Sequence, residues 1–207
     1  MSAELAIVDS GGANIGSVRY ALQRLGVEAV FTADADIIAN AKRVILPGVG
    51  SAAAAMWRLR DNGLDRLLPR LSQPVLGICL GMQLLFDKSE EASDRNNGSP
   101  TPCLGVIPGT VLRLPAAAGL RIPHMGWNQL HLHKDDTLLN GLTSPAHAYF
   151  VHSYAVPVSR WTLATCLHGE SFSAIVRRKN FWAAQFHPER SARVGRQLLK
   201  NFLAVPA

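Results

Sequence analysis

One cysteine lies in a short apolar segment flanked by glycines, and this pattern is typical of a thiol nucleophile. Cys79 follows the apolar run Pro74–Ile78, and Gly77 and Gly81 stand two residues to either side of it. A buried strand that meets a helix through such a tight turn holds the central side chain at the top of a sheet. The helix N-terminus favours the thiolate, which is the reactive form. The alternative is a structural cysteine packed between two glycines.

A thiol nucleophile needs a base, and one of the seven histidines has a carboxylate at a suitable spacing. His187 stands two residues before Glu189, at the end of a predicted strand, with Pro188 stiffening the link. Residues two apart in an extended chain point the same way, so the carboxylate can accept the imidazole N–H and fix its tautomer. The sequence therefore predicts a Cys79–His187–Glu189 triad. A lone histidine near a strand end is more often a surface or core residue.

Acyl transfer also requires hydrogen-bond donors for the oxyanion of the tetrahedral intermediate. The backbone N–H of Leu80, next to the nucleophile, is one candidate, and the glycine-rich turn Pro47–Gly50 can supply the second. Gln83 lies four residues after Cys79, on the same face of the predicted helix. The alternative for Pro47–Gly50 is a plain strand-to-helix turn.

Strands and helices alternate through the first half of the chain, which predicts a parallel sheet covered on both faces. The predicted strands there are Leu5–Val8, Val27–Phe31, Val44–Leu46 and Pro74–Ile78, and the predicted helices are Asn14–Leu25, Asp34–Ala41, Ser51–Arg60, Leu64–Leu71 and Leu80–Phe86. The second half has strands joined by turns, which indicates antiparallel or mixed additions to the sheet: Gly105–Leu114, Trp127–His133, Tyr149–Val156, Leu163–Leu167, Ser173–Arg177 and Trp182–Phe186. An amphipathic helix, Ser191–Leu203, closes the chain, and Glu90–Pro102 is a polar surface loop. We expect one α/β domain over residues 1–207, with a mostly parallel central sheet, helices on both faces and additional antiparallel strands.

Composition excludes several classes of protein. The chain has 207 residues, 48% of them hydrophobic and 17% charged, as in ordinary globular proteins. Its three cysteines, Cys79, Cys103 and Cys166, form no C-x-x-C pair, so we expect neither a disulfide framework nor a metal site. The longest apolar run, Val75–Phe86, is too short to cross a membrane, and no signal peptide is evident. We expect a cytoplasmic protein that does not bind a membrane.

The formal net charge is +6, which raises the question of nucleic-acid binding. The basic residues form two loose groups, at the tip of a predicted hairpin and on one face of the C-terminal helix: Arg177, Arg178 and Lys179, and Arg190, Arg193, Arg196 and Lys200. No basic stripe interleaved with aromatic residues is present, so a solvated helix face is favoured and no nucleic-acid partner is expected.

The segment Gly77–Gln83, together with Phe186–Glu189, is similar to the class I glutamine amidotransferases. The chain further resembles the branch of that family that supplies ammonia to a cyclase in histidine biosynthesis. Four segments carry this resemblance, in order along nearly the whole chain: Pro47–Gly50, Ile122–Asn128, Tyr149–Tyr154 and Gln185–Ser191. The resemblance implies the class I amidotransferase fold, which is flavodoxin-like, and an activity that needs no cofactor.

The resemblance also implies roles for individual residues. Cys79 would attack the side-chain amide of glutamine, His187 would protonate the leaving ammonia and then activate water, and Glu189 would orient His187. The N–H groups of Val49 and Leu80 would bind the oxyanion. The glutamine pocket would be lined by Gly50, Gln83, Ser153 and Tyr154.

The partner implied by the resemblance is a cyclase subunit with a (β/α)8-barrel fold, bound as a heterodimer. It would use the ammonia to make imidazole glycerol phosphate and an aminoimidazole carboxamide nucleotide. The residues at its interface would be Met125, Trp127, Asn128, Tyr149 and Arg190. The alternative for Trp127 is that it packs in the hydrophobic core and not at the interface. Because glycines flank Val49, we also expect its peptide to be misplaced until the cyclase binds its nucleotide, so that the isolated chain is a poor glutaminase.

Two features depart from the pattern of the family, and three other assignments stay open. Many relatives have lysine where this chain has Arg190, and the two cations are not equivalent at a specific contact. The segment 90–103 is longer and more polar than in most relatives. The open alternatives are another class I amidotransferase such as that of anthranilate synthase, a non-catalytic binding protein on the same fold, and a stand-alone cysteine hydrolase.

Overall fold

The computed structural model describes residues 3–11, 15–92, 98–116 and 119–206. Its strands are β1 Ala6–Val8, β2 Val30–Thr32, β3 Val44–Leu46, β4 Val75–Ile78, β5 Phe86–Ser89, β6 Thr101–Pro102, β7 Ile107–Arg113, β8 His124–Leu132, β9 Ala146–His152, β10 Tyr154–Ala155, β11 Thr162–His168, β12 Glu170–Arg178 and β13 Phe181–Ala184. Its α-helices are α1 Ile15–Gln23, α2 Ala35–Asn40, α3 Ala52–Asp61, α4 Leu64–Leu67, α5 Leu80–Leu84 and α6 Ala192–Ala204. Short 3₁₀ turns cover Leu68–Arg70, Thr137–Leu139 and Pro188–Arg190.

The main sheet has nine strands in the order β2-β1-β3-β4-β13-β12-β11-β8-β9. The first five are parallel, and β12, β11, β8 and β9 continue the sheet in antiparallel fashion. β13 pairs with β4 in register, Ala184 opposite Ile78. Because both strands end at the same edge of the sheet, the segments that follow them meet there. This pairing brings the region of His187 next to Cys79.

Apolar side chains cover both faces of this sheet. Alternate residues of the first strand enter opposite cores, with Ile7 in one and Val8 in the other. The core on the side of Ile7 takes up the apolar faces of α1 and α6, and the core on the side of Val8 takes up those of α2, α3 and α4. The predicted α/β class, with parallel strands, helices on both faces and added antiparallel strands, is confirmed.

The second half departs from prediction because four strands form a separate sheet. This sheet has the order β10-β7-β5-β6, whereas the sequence pattern predicted additions to the main sheet. The helix predicted over Leu80–Phe86 ends at Leu84, and Phe86 begins a strand that pairs with Ile107. Periodicity alone cannot separate a short buried strand from a buried helix, and this apolar run contains both.

One continuous strand was predicted over Tyr149–Val156, but the structure divides it at Ser153. β9 stays in the main sheet, and β10 pairs with β7 of the second sheet. The break therefore lies where the chain passes from one sheet to the other. Among the residues that the structure describes, no helix has the length and apolar character needed to span a bilayer.

Candidate active site

The turn between β4 and α5 holds Cys79 in a backbone conformation that side chains rarely adopt, with φ 53° and ψ −111°. Close backbone packing explains the glycines on either side. A Cβ on Gly81 would lie 1.8 Å from the carbonyl oxygen of Leu46, and one on Gly77 would lie 2.9 Å from the carbonyl oxygen of Gly81. The tip of α5 thus packs directly on the end of β3, which fixes where the cysteine points.

His187 and Glu189 form a buried pair at the same edge of the sheet. Nδ1 of His187 lies 2.9 Å from Oε1 of Glu189, and only 8% and 1% of the two side chains are exposed. The backbone N–H of His187 donates to the carbonyl of Tyr149 at 3.0 Å. A Cβ on Gly195 would lie 1.8 Å from the carbonyl oxygen of Pro188, so α6 packs tightly on this turn. The predicted contact is present, but a 3₁₀ turn over Pro188–Arg190 makes it and not the extended link that the sequence predicted, and the role of Glu189 in orienting His187 stays a prediction.

The protonation of His187 is set by competing effects. Burial on its own lowers the pKa of this imidazole, but hydrogen bonds to Cys79 and Glu189 and the charges of both groups act the other way. Together they raise the pKa of His187 to about 10. The imidazole is therefore an imidazolium at neutral pH, placed between a thiol group and a carboxylate. This arrangement suits a proton donor that faces a nucleophile.

Two further groups approach the sulfur of Cys79. Nε2 of Gln185 donates to Sγ across 3.9 Å, and the carbonyl oxygen of Val151 lies 3.8 Å from it. Burial raises the pKa of both Cys103 and Cys166 to about 12, so those thiols stay protonated at neutral pH. Cys79 is the cysteine that lines the pocket in the described part of the chain, so it is the candidate nucleophile.

A pocket of about 350 Å³ opens beside Cys79, within the range of about 300–1,000 Å³ typical of small-molecule sites. It brings together eight of the predicted site residues: Val49, Gly50, Cys79, Leu80, Gln83, Ser153, Tyr154 and His187. Glu189 lies behind His187 and outside this lining. The side-chain amide of Gln83 donates to the carbonyl of Tyr154 at 2.8 Å and to Oε1 of Gln185 at 3.0 Å. Gln83 thus also holds the wall of the pocket in place, a contribution that the sequence analysis did not predict.

The pocket also has lining residues that the sequence analysis missed: Glu91, Pro123, Val151 and His152. Glu91 belongs to the polar segment for which the sequence suggested only a surface loop. Its Oε2 accepts the backbone N–H of Ala52 at 2.6 Å, so it caps α3 directly after the glycine-rich turn. A carboxylate in a polar loop carries no local signal of its position, whereas His152 lies within a recognised segment and could have been named.

The turn Pro47–Gly50 lies against the cysteine turn. The hydroxyl of Ser10 donates to the carbonyl of Pro47 at 2.7 Å, and Gly50 has φ +95°. A Cβ on Gly48 would lie 2.9 Å from Cβ of Leu80, so the two segments are in contact. Val49 and Leu80 consequently line the same pocket, and their role as oxyanion donors stays a prediction.

Three of the residues predicted for the partner interface are on β8, and they divide between its two faces. Met125 and Trp127 are 63% and 55% exposed, so Trp127 is not a core residue of this chain. Tyr149 is opposite Trp127 on β9, with their ring centroids 6.0 Å apart, and Arg190 is exposed. The side chain of Asn128 points to the other face, where its Nδ2 donates to the carbonyl of Leu167 at 2.9 Å.

The predicted basic hairpin tip is engaged in internal contacts. Arg177 forms an ion pair of 2.8 Å with Asp136 and lies over the ring of Trp182. Arg178 donates to the carbonyl of Val106. Both guanidinium groups therefore stabilise the packing of this hairpin.

Comparison with known proteins supports the chemistry that this geometry suggests. The family described as "Glutamine amidotransferase class-I" matches residues 6–205. A protein of Xanthomonas campestris pv. campestris (strain 8004), named imidazole glycerol phosphate synthase subunit HisH, is 54% identical over 97% of this chain and 96% of its own length. The protein of the same name from Xylella fastidiosa (strain Temecula1) is 54% identical over 99% and 98%.

Solved structures with low sequence identity share the fold. A crystal structure of a glutamine amidotransferase aligns with a TM-score of 0.72 and 22% identity over 97% of both chains. The structure of PurLQS from Thermotoga maritima aligns with a TM-score of 0.64 and 15% identity over 98% of both chains. From its full-length family match and its close relatives, this chain belongs to the class I glutamine amidotransferases.

Proposed function

We propose that the chain, as one amidotransferase domain, is the glutaminase subunit of an imidazole glycerol phosphate synthase. The observation that carries this proposal is the meeting of Cys79, the His187–Glu189 pair and the turn Pro47–Gly50 around one pocket. The 54% identity to proteins named as this subunit, over nearly the full length of both chains, supports the choice of substrate and pathway. Catalysis would take place in the cytoplasm, where histidine biosynthesis occurs.

The geometry suits hydrolysis of a carboxamide in two steps. The thiolate of Cys79 attacks the side-chain carbonyl carbon of glutamine, and the N–H groups of Val49 and Leu80 stabilise the oxyanion. The imidazolium of His187 donates its proton to the departing nitrogen, which releases ammonia and leaves a thioester on Cys79. The neutral imidazole then takes a proton from water, which attacks the thioester and releases glutamate. Glu189 holds the ring in place in both steps.

The exposed part of β8 and β9 supports a protein partner beside this site. Met125 and Trp127 are large, apolar and more than half exposed, and Tyr149 lies next to Trp127. Aromatic residues and methionine are enriched at protein interfaces. The carbonyl of Tyr149 accepts the backbone N–H of His187, so one hydrogen bond connects this surface to the residue that supplies the base. We place the (β/α)8-barrel cyclase here, where it can receive the ammonia.

The direct test of this assignment mixes the chain with the cyclase subunit and its phosphoribosyl-formimino carboxamide nucleotide. We expect imidazole glycerol phosphate to form with glutamine as nitrogen donor only when both proteins are present, and with free ammonia when the cyclase is alone. Glutamine-dependent formation of anthranilate, with an anthranilate synthase partner in place of the cyclase, would contradict the assignment of this chain to imidazole glycerol phosphate synthase. Hydrolysis of glutamine at full rate without any partner would favour a stand-alone hydrolase.

The raised pKa of His187 predicts an unusual pH profile. Since the proton needed for ammonia release is lost only as pH rises through about 10, kcat/KM for glutamine should fall near that pH and not near the ordinary histidine value. Replacing Glu189 with glutamine removes one of the causes of the elevation. We therefore expect Glu189→Gln to move the alkaline limb to lower pH and to reduce kcat/KM, measured by glutamate release between pH 6 and pH 11.

The exposed Glu170 supplies the control for charge removal alone. Glu170→Gln should leave the alkaline limb where the wild-type enzyme has it. An alkaline limb that does not move in Glu189→Gln would show that the carboxylate does not act on the protonation of His187.

Glu91 should recognise the α-ammonium group of glutamine. Among the described residues that line the pocket, it is the one carboxylate, and one of its oxygens already faces the backbone of α3. A charge-assisted hydrogen bond contributes about 1.5–3 kcal/mol, so Glu91→Gln should raise KM for glutamine about tenfold or more, with a smaller change in kcat. Steady-state glutamate release in the complex measures both constants.

A matched control and an altered substrate separate this role from general damage. Glu90 is the neighbouring carboxylate, but its Oε2 accepts the backbone N–H of Arg113, so Glu90→Gln should change neither constant. Glutaramate, the same amide without the amino group, should be hydrolysed alike by wild type and Glu91→Gln. If Glu91→Gln instead raised KM for glutamine and for glutaramate by the same factor, recognition of the ammonium group by Glu91 would be disproved.

A further inference from the structure

Two buried histidines outside the triad form a continuous chain of hydrogen bonds beside the pocket. His152 lines the pocket, and its Nε2 lies 3.0 Å from Nδ1 of His124. Nδ1 of His152 lies 2.9 Å from the carbonyl oxygen of Tyr154. At the other end, Nε2 of His124 lies 3.2 Å from Nδ2 of Asn128. Both residues are buried, with His124 4% and His152 6% exposed.

The groups at the two ends determine which nitrogen of each ring carries the proton. The carbonyl of Tyr154 can only accept, so His152 donates from Nδ1 and accepts at Nε2. His124 must then donate from Nδ1, which leaves its Nε2 to accept from the amide of Asn128. The second N–H of that amide donates to the carbonyl of Leu167, and its oxygen accepts a backbone N–H at 2.8 Å. Every donor meets an acceptor only when both imidazoles are neutral.

The surroundings of the two rings keep them neutral. Burial lowers the pKa of His124 to about 4, and the neighbouring His168 acts in the same direction. Burial lowers the pKa of His152 to about 3, although its hydrogen bond to the backbone opposes the change. Phe150 stacks on His124 with 4.8 Å between the ring centroids. The chain of hydrogen bonds is therefore intact at neutral pH.

At one end, this series of hydrogen bonds reaches the carbonyl of Tyr154, which holds the pocket wall. The carbonyl of Tyr154 also accepts from Gln83, whose amide donates in addition to Gln185. Gln185 donates in turn to Sγ of Cys79. The position of His152 is consequently linked to residues 151–154 and, through two side-chain amides, to the nucleophile.

The other end lies on the strand that presents the exposed apolar side chains. His124 and Asn128 are on one face of β8, and Met125 and Trp127 are on the opposite face. A protein that docks on the exposed face acts on the same backbone that holds His124. His124 and His152 are opposite each other on β8 and β9, and one hydrogen bond joins their rings, so a shift of β8 relative to β9 changes this contact.

We propose that His124 and His152 are positioning residues that set the affinity of the pocket for glutamine and couple it to the docking of a partner on β8. This inference rests on the proposed glutaminase function and adds a route by which that site is regulated. The pair contacts neither His187 nor Glu189 by a hydrogen bond in the described part of the chain. It acts through the pocket wall, which Gln83 and Gln185 connect to Cys79.

The test compares His124→Phe with His124→Asn in the full chain. Phenylalanine keeps a ring stacked on Phe150 but offers His152 no donor, whereas asparagine keeps an N–H near the position of Nδ1. Glutamine binding is measured as the glutamine concentration that halves the rate of alkylation of Cys79 by iodoacetamide, read by mass spectrometry of the Cys79 peptide. This readout requires neither turnover nor the cyclase.

We expect His124→Phe to raise the half-protecting glutamine concentration about tenfold, and His124→Asn to recover most of the loss. His131→Phe is the matched control, because His131 is an exposed residue of the same strand. With the cyclase and its nucleotide present, the factor by which glutamate release rises should fall at least about threefold in His124→Phe and stay unchanged in the control. An unchanged factor in His124→Phe would overturn the coupling to docking.

A second measurement does not depend on the folding of any variant. Ring ¹⁵N shifts of the wild-type chain at pH 7 should report neutral Nδ1–H tautomers for both His124 and His152, and Nε2–H tautomers would overturn the inference. Equal protection by glutamine in wild type and His124→Phe would also overturn it while leaving the proposed function in place. No protection in the wild-type chain would remove the proposed function, and this inference with it.

Discussion

Replacing Cys79 with alanine should abolish glutamine hydrolysis, with kcat reduced by about 10⁴-fold or more. The thiolate forms the covalent bond to the substrate, and removal of a nucleophile leaves only the contribution of binding and of the oxyanion donors. The side chain is small and lies in a turn held by backbone packing, so the fold should survive the change. Glutamate release in the complex with the cyclase measures the loss, and ammonia-dependent product formation by the same complex should be unaffected.

The other two cysteines are the controls for this substitution. Cys103→Ala and Cys166→Ala remove thiols whose pKa burial raises to about 12, so neither change should alter glutamate release by more than about twofold. Substantial glutamine hydrolysis by Cys79→Ala would mean that the thiol does not act as nucleophile and would leave the chain as a binding protein on this fold.

Gly81→Ala should be among the most damaging single-methyl changes in the described part of the molecule. The added Cβ would lie 1.8 Å from the carbonyl oxygen of Leu46, so α5 and β3 must move apart. We expect a loss of about 3 kcal/mol or more in the free energy of unfolding. Any folded fraction should hydrolyse glutamine about 100-fold more slowly, since Cys79 is displaced from the pocket. Denaturant unfolding and glutamate release together measure both effects.

Gly16 gives the matched control, because a Cβ there would meet only Tyr20 at 3.9 Å. It lies within α1 and its φ is outside the left-handed region, so Gly16→Ala should change the unfolding free energy by less than about 1 kcal/mol. If the free energy of unfolding of Gly81→Ala equalled that of the wild type, the close approach of α5 to β3, on which the placement of Cys79 depends, would be contradicted.

The features that sequence reasoning predicted share a local signal. Cys79 between glycines, and His187 two residues before Glu189, are patterns that can be recognised within a few residues. The parallel strands of the first half are also local, because each is a short apolar run bounded by a glycine, proline or polar turn. The pairing of β13 with β4 then places these two local motifs at one edge of the sheet.

The features that escaped prediction depend on contacts between distant parts of the chain. Glu91 reaches the pocket because its segment folds back onto α3, and nothing in its own neighbourhood indicates that position. The second sheet forms because Phe86 pairs with Ile107 and Tyr154 with Arg113, and pairings over such separations leave no periodic pattern. Asn128 points to the face of β8 opposite Trp127, an alternation of side chains that the sequence analysis did not use, and its place at the partner interface stays a prediction.

The two faces of β8 suggest how an amidotransferase subunit can sense its partner. Trp127 on the exposed face and His124 on the buried face move with the same backbone. Tyr149, opposite Trp127 on β9, accepts from the N–H of His187 through its carbonyl. A partner that docks there, as proposed, would act on elements that are already bonded to the base and to the pocket wall, and a small shift there would be sufficient to change catalysis.

The most direct test of the central claim is the rate of glutamate release from glutamine by the purified chain. It is measured for the chain alone, then with the cyclase and its nucleotide, and in both cases with Cys79→Ala alongside. We predict slow release by the chain alone and a large rise in the complex that disappears in Cys79→Ala. Release in the complex that persists in Cys79→Ala, or that is no faster than in the chain alone, would contradict a Cys79-dependent glutaminase activated by its partner.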